Sequence, residues 1–231
     1  MSDTANPPSL ASTDDFDARL KRTDEDRWLS TRYAPAATRE RLVALYLFYQ
    51  ELQRTLQTSE AMLGKIRLQW WRETIGQLEG TGPVRRHDLS EQLARVTRDR
   101  PDLVPGLAAL VDRFDDILDD HLHSGGHQPG GEHEARHLAV EGALARLAGQ
   151  ALDPAASAVH LDVIAALAEA RLAILADLPD GPSRWDAARR RIRAVPSVLW
   201  PAVLHLQDPR RQDGPFARRR RLFWAALRRR L

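Results

Sequence analysis

The sequence predicts an all-α protein built as an antiparallel helical bundle with short connections. Three observations carry this. Apolar residues recur at three- and four-residue steps along most of the chain. Proline- and glycine-rich breaks separate stretches of helical length. No stretch alternates with a period of two over a strand's length, and no internal repeat is present.

In chain order, Thr23-Asp24-Glu25-Asp26 reads as a capping box that opens a short helix ending before Pro35. The spacing predicts a helix from Thr38 to about Gln57, with Leu42, Leu45, Tyr46, Tyr49, Leu52 and Leu56 on one apolar face. Thr58 or Ser59 caps the next, from about Glu60 to Leu78, whose stripe is Leu63, Ile66, Trp70 and Leu78. Shorter helices are expected at Leu89–Thr97 and Val104–His121. A Gly-rich loop from Ser124 to Gly131 follows. Helices are then expected over 132–152 and 155–177, a break at Pro179–Pro182, and a helical stretch over 184–206 interrupted at Pro196 and Pro201. A last helix is expected from Pro215 onward.

The 231 residues are 43% hydrophobic, enough for one sizeable core. We expect a disordered tail over residues 1–13 and a single all-α domain over 14–231, ending in a basic amphipathic helix at 215–231. The polar first residues carry neither a secretory h-region nor an Arg-rich presequence. No apolar run approaches the roughly 20 residues that span a bilayer. The absence of cysteine excludes disulfides and thiolate metal sites. These features lead us to expect a cytoplasmic protein. Only Lys21 and Lys65 are lysines, an arginine bias typical of a GC-rich bacterial genome. The net charge of +2 hides an asymmetry: residues 184–231 hold 14 arginines against Asp186, Asp208 and Asp213. Such a basic end suits an anionic surface, or simply neutralises an acidic body.

Three segments carry a family resemblance. They are Asp26-Arg27-Trp28-Leu29 with Tyr33-Ala34-Pro35, Arg39 with the run Arg41 to Glu51, and the run Leu63 to Glu73 that contains IRLQWW. Their order and spacing resemble the squalene/phytoene synthase family. Arg113 to Asp116 and the small-residue run Glu141 to Leu147 look like later family segments. The resemblance implies an isoprenoid-synthase-like fold, and enzymes that join two prenyl diphosphates head to head. Mg²⁺ held by two Asp-rich motifs would neutralise the departing diphosphate.

Here the chain departs from the pattern. Aligned on Leu45 to Phe48, Gln53 and Gln57 stand where the first pair of aspartates belongs, and neutral amides supply no charge to hold Mg²⁺. Asp162, Glu169, Asp177 and Asp180 do not rebuild the second motif. The resemblance is therefore nearer to the family's non-catalytic branch, whose mitochondrial members help assemble respiratory complex I. It implies a binding or assembly factor without a cofactor, partnered by a protein or a prenyl-like lipid. Tyr46, Arg67, Trp70 and Trp71 are the residues expected to form its pocket.

Two other motifs compete. Asp115-Asp116-Ile117-Leu118-Asp119-Asp120 is a DDxxD string, and Asp115, Asp116 and Asp119 are weak Mg²⁺ candidates. They would serve an active prenyltransferase. We read them instead as a solvated acidic helix end, where the helix dipole disfavours anions. His133-Glu134-Ala135-Arg136-His137 matches the zinc-protease string, but it opens a helix straight after a flexible loop. Adventitious metal binding by the His-rich loop is favoured over catalysis, and no metal site is expected there. At the C-terminus, Phe216, Phe223, Trp224, Leu227 and Leu231 share a face, with Arg218, Arg221, Arg228 and Arg229 opposite. This pattern suits an anionic membrane, with docking on the inner-membrane face expected. Nucleic acid is not expected, because no recognition motif accompanies the charge.

Overall fold

The structure, a computed structural model, describes residues 13–58, 60–80, 82–124, 131–210 and 214–228. The tail expected at residues 1–13 lies outside the described residues up to position 12, as does most of the Gly-rich loop. Among the described residues every regular element is helical.

The order is α1 (Thr13–Thr23), α2 (Glu25–Thr31), α3 (Ala36–Thr55), α4 (Ala61–Gln77), α5 (Asp88–Thr97), α6 (Val104–Ser124), α7 (Gly131–Leu152), α8 (Ala158–Leu175), α9 (Gly181–Arg191) and α10 (Pro215–Arg228). Short 3₁₀ stretches lie at Pro101–Leu103, Ile192–Ala194 and Ser197–Ala202. One continuous apolar cluster runs from Phe16 to Ala225.

Several expectations are corrected. An additional helix, α1, precedes the cap at residues 23–26 and buries Phe16 and Leu20. The cap of α2 is Asp24 rather than Thr23. Its Oδ1 accepts from the Arg27 backbone N–H at 2.9 Å, while the Thr23 hydroxyl donates back to the Arg19 carbonyl. Helix α6 continues past His121 to Ser124. Helix α9 begins at Gly181, because Pro182 belongs in a first helical turn, where its missing N–H costs nothing.

Helix α3 does not present one apolar face. All eight residues from Leu42 to Tyr49 are buried. A helix apolar all round is an inner helix, and α3 packs against α1, α2, α4, α5, α6 and α7. Fully burying each Leu or Phe of this run contributes about 1.5–3 kcal/mol. Its position puts the two polar ends in the run, the hydroxyls of Tyr46 and Tyr49, at the centre of the bundle.

Helices α7 and α8 form the most extensive pair. They approach closely because Gly142 leaves space for the Glu169 side chain, which a Cβ there would overlap. Helix α8 ends in a Schellman turn. The Leu178 N–H bonds the Ala173 carbonyl and the Asp177 N–H bonds the Ile174 carbonyl. Asp177 takes the left-handed position with φ of 55°.

Candidate functional site

The polar centre of the bundle is assembled from five elements. Helix α2 supplies Arg27 and its cap Asp24, α3 supplies Tyr46, Tyr49 and Gln53, α7 supplies Glu141, and α8 supplies Arg171. His205 enters from the chain after the 3₁₀ turn at 197–202. That turn is held to α2 by the buried Ser30 hydroxyl, which donates to the Pro201 carbonyl at 2.7 Å.

Arg27 is the hub. Its guanidinium donates to Glu141 at 3.0 Å and to Asp24 at 2.9 Å. It also lies 5.0 Å from the Tyr49 ring centroid and 5.6 Å from that of Tyr46. Burial opposes its charge, but Glu141 and Asp24 outweigh that and raise its pKa. The Tyr49 hydroxyl donates to the other oxygen of Glu141 and accepts from the Gln53 amide at 3.0 Å. Burial, and then Glu141, push the Tyr49 phenol well above its ordinary range.

Next to this closed network lies a less satisfied layer. His205 packs edge-on against Tyr46 at 5.7 Å. The Tyr46 hydroxyl, the Nε atoms of Arg27 and Arg171, and Nδ1 of His205 are buried with no hydrogen-bond partner among the described residues. Burial, then Arg27 and Arg171, hold the His205 pKa well below its usual value. Burial, then Arg27, lowers that of Arg171. The centre thus holds cations beside a buried imidazole and two carboxylates, Asp24 and Glu141, both paired with Arg27.

The four residues expected to form a pocket do not share one. Tyr46, 1% exposed, faces Arg27 and His205. Two positions on, Phe48 points to another side of α3 and meets Trp71 at 5.0 Å. Trp70 and Trp71 pack edge-on at 4.8 Å, both against His87, with Arg85 over Trp70. Arg67 is exposed on the same helix. The tryptophans of the IRLQWW string therefore pack α4 onto α3 and the segment before α5. Of the two glutamines, Gln53 reaches the polar centre through Tyr49, whereas Gln57 is exposed beyond the end of α3.

The DDxxD stretch is not a solvated helix end. Lys65 bridges Asp115 and Asp119 at 2.6 Å each, and Arg72 reaches Asp112 and Asp115 at 3.0 and 3.1 Å. Asp120 pairs with Arg136, and Asp116 is exposed. Burial raises the Asp115 pKa, but the Lys65 and Arg72 hydrogen bonds outweigh it and lower the pKa overall. Asp115 and Asp119 thus belong to an ion-pair seam between α4 and α6, while Asp120 is paired with Arg136 on α7.

At the far end, α10 packs on α2 through Leu222 and Ala225, 1% and 3% exposed, with Arg219 paired to Glu25. Three members of the apolar stripe expected on this helix face outward. Phe223, Trp224 and Leu227 are 53%, 42% and 63% exposed. Arg220, exposed one turn earlier, joins them at the i, i+3, i+4, i+7 spacing of one face. Arg221 is half-buried and has a partner. The side chains of Phe216, Arg218 and Arg228, and residues 229–231, lie outside the described residues. No helix among the described residues is long and apolar enough to cross a membrane.

Sequence reasoning missed Arg27, Glu141, Arg171 and His205 as a cluster. Two signals were available: a lone arginine in the alanine- and leucine-rich α8, and a histidine inside the apolar run 201–206. Set beside known proteins, the chain matches the squalene/phytoene synthase family over residues 20–121, from the last turns of α1 into those of α6. No curated protein and no solved structure matches it.

Proposed function

We propose that this chain, whose residues 20–121 match the squalene/phytoene synthase family, works by binding and does not condense prenyl diphosphates. The observation that carries this reading is the Gln53 amide hydrogen-bonded to Tyr49, whose hydroxyl is in turn bonded to Glu141. A cage for Mg²⁺ needs several anionic oxygens converging from facing helices. At this place α3 offers a neutral amide. The facing carboxylate, Glu141, is neutralised by Arg27 and occupied by Tyr49. Asp115 and Asp119, the acids an alternative transferase would use, are paired with Lys65. The test is calorimetry with Mg²⁺ and inorganic diphosphate. No Mg²⁺-dependent uptake of diphosphate is expected. Stoichiometric uptake lost in Glu141→Gln would overturn the reading.

The binding role we assign is that of an assembly or scaffold factor at an anionic membrane face, and α10 is the element that supports it. Phe223, Trp224 and Leu227 offer an apolar stripe to the headgroup boundary. Arg220 on the same face meets lipid phosphate. The counterpart that this charge and apolar pattern fits is a lipid bilayer carrying acidic headgroups. A respiratory-complex partner follows from the family resemblance alone.

A further inference from the structure

We infer that His121, His133 and His137 form a site for a divalent transition-metal ion of the zinc class, clamping the end of α6 to the start of α7. One ligand atom from each of the three imidazoles lies within 4.8 Å of the other two. His133 and His137 sit one helical turn apart on α7, with ring centroids 4.7 Å apart. His121 comes from α6 and lies 5.0 Å from His133, so the third donor is supplied across the helix–helix junction.

Three imidazole nitrogens bonded to zinc at about 2.0–2.1 Å would stand about 3.4 Å apart in a tetrahedral site. Modest rotation about the side-chain torsions closes the gap from the spacing observed. Neutral imidazoles favour zinc, nickel, cobalt and copper over magnesium or calcium, which take oxygen donors. All three residues are half-buried. The site is therefore reachable from solvent and leaves a fourth position for water. The two helix ends oppose each other electrostatically: the last turn of α6 favours a cation at His121, and the first turn of α7 disfavours one at His133. The carboxylate of Asp120, next to His121, is engaged by Arg136.

The same geometry separates this site from the peptidase reading of the HExxH string. A peptidase needs Glu134 beside the metal-bound water. Glu134 instead lines a groove on another side of α7, together with Leu138, Glu169, Leu178, Asp180 and Arg184. The imidazoles face α6. The ion would hold two helices together across the Gly-rich connection and would not hydrolyse peptides.

The experiment uses the full chain without an affinity tag. Co²⁺ is titrated and followed by its visible absorbance, and Zn²⁺ is then used to displace it. One equivalent should bind. His121→Ala, His133→Ala and His137→Ala should each weaken binding by more than the roughly tenfold loss typical of removing an outer-shell partner. Saturating Zn²⁺ should raise the melting temperature by about 5–10 °C at a hundredfold excess over Kd. Glu134→Gln should bind like the original chain. Far-ultraviolet circular dichroism checks that each variant is folded, and His121→Asn stands in if His121→Ala is not. Absence of a cobalt spectrum, or His121 variants that bind as tightly as the original chain, would overturn the proposal.

Discussion

Arg27 on α2 and Glu141 on α7 meet at 3.0 Å in the centre of the bundle, although 114 positions separate them in sequence. Both are largely buried, with side chains 14% and 17% exposed. Removing Arg27 leaves Glu141 without its counter-charge, and removing Glu141 leaves Arg27 with Asp24 alone. Arg27→Met or Glu141→Leu alone should each cost about 3 kcal/mol. The double variant removes both charges together and should cost less than either single change, as read from urea midpoints. Equal and additive losses would mean that the pair is not coupled.

His205 should make stability fall in acid. Its folded pKa lies well below the ordinary 6.5, so the unfolded chain takes up a proton in a pH range where the folded chain does not. Stability is then fully present above about pH 6.5 and is lost below it, by about 1.4 kcal/mol per pH unit, until the folded group titrates. His205→Phe keeps a ring against Tyr46 and removes this slope. Urea midpoints at about pH 7.5 and about pH 5 should diverge less for the variant than for the original chain.

Asp177 closes α8 from the left-handed region, with φ of 55°. A Cβ is unfavourable there, and glycine suits the position. Asp177→Gly should stabilise the fold by about 1 kcal/mol, seen as a rise of about 2–4 °C in melting temperature.

The outward stripe on α10 predicts binding to vesicles that contain phosphatidylserine. Phe223→Asp with Leu227→Asp alters side chains that are 53% and 63% exposed, so the fold should persist while cosedimentation falls. Arg220→Glu should weaken binding by about fivefold or more, the equivalent of about 1 kcal/mol per basic residue at such a surface. High salt should reduce what remains. Unchanged sedimentation of the double variant would remove α10 as the docking element.

The helices were legible because apolar spacing survives in one sequence. The stretches that became α4, α5 and α7 were placed within a residue or so of their observed bounds. Helix α1 was not placed, because Asp14, Asp15 and Asp17 crowd its first turns and only Phe16 and Leu20 mark its apolar side. The burial of α3 on every side was also hidden, since Tyr46 and Tyr49 read as an ordinary stripe. The polar centre was the least legible part. Arg27, Glu141, Arg171 and His205 lie in separate helices and turns, and no local spacing links them. The i, i+4 pair His133 and His137 was visible as a string. Its third member, His121, comes from a different helix and shares a site with them only once α6 and α7 pack.

The proposed loss of catalysis rests on one neutral amide, Gln53, and an already paired glutamate, Glu141, standing where a cation cage would be required. Its most direct test is incubation of the pure chain with radiolabelled farnesyl or geranylgeranyl diphosphate and Mg²⁺, followed by extraction and chromatography of the lipid. The account predicts that the diphosphate is recovered unchanged. A Mg²⁺-dependent condensed hydrocarbon, produced by this chain and lost in Glu141→Gln, would contradict it.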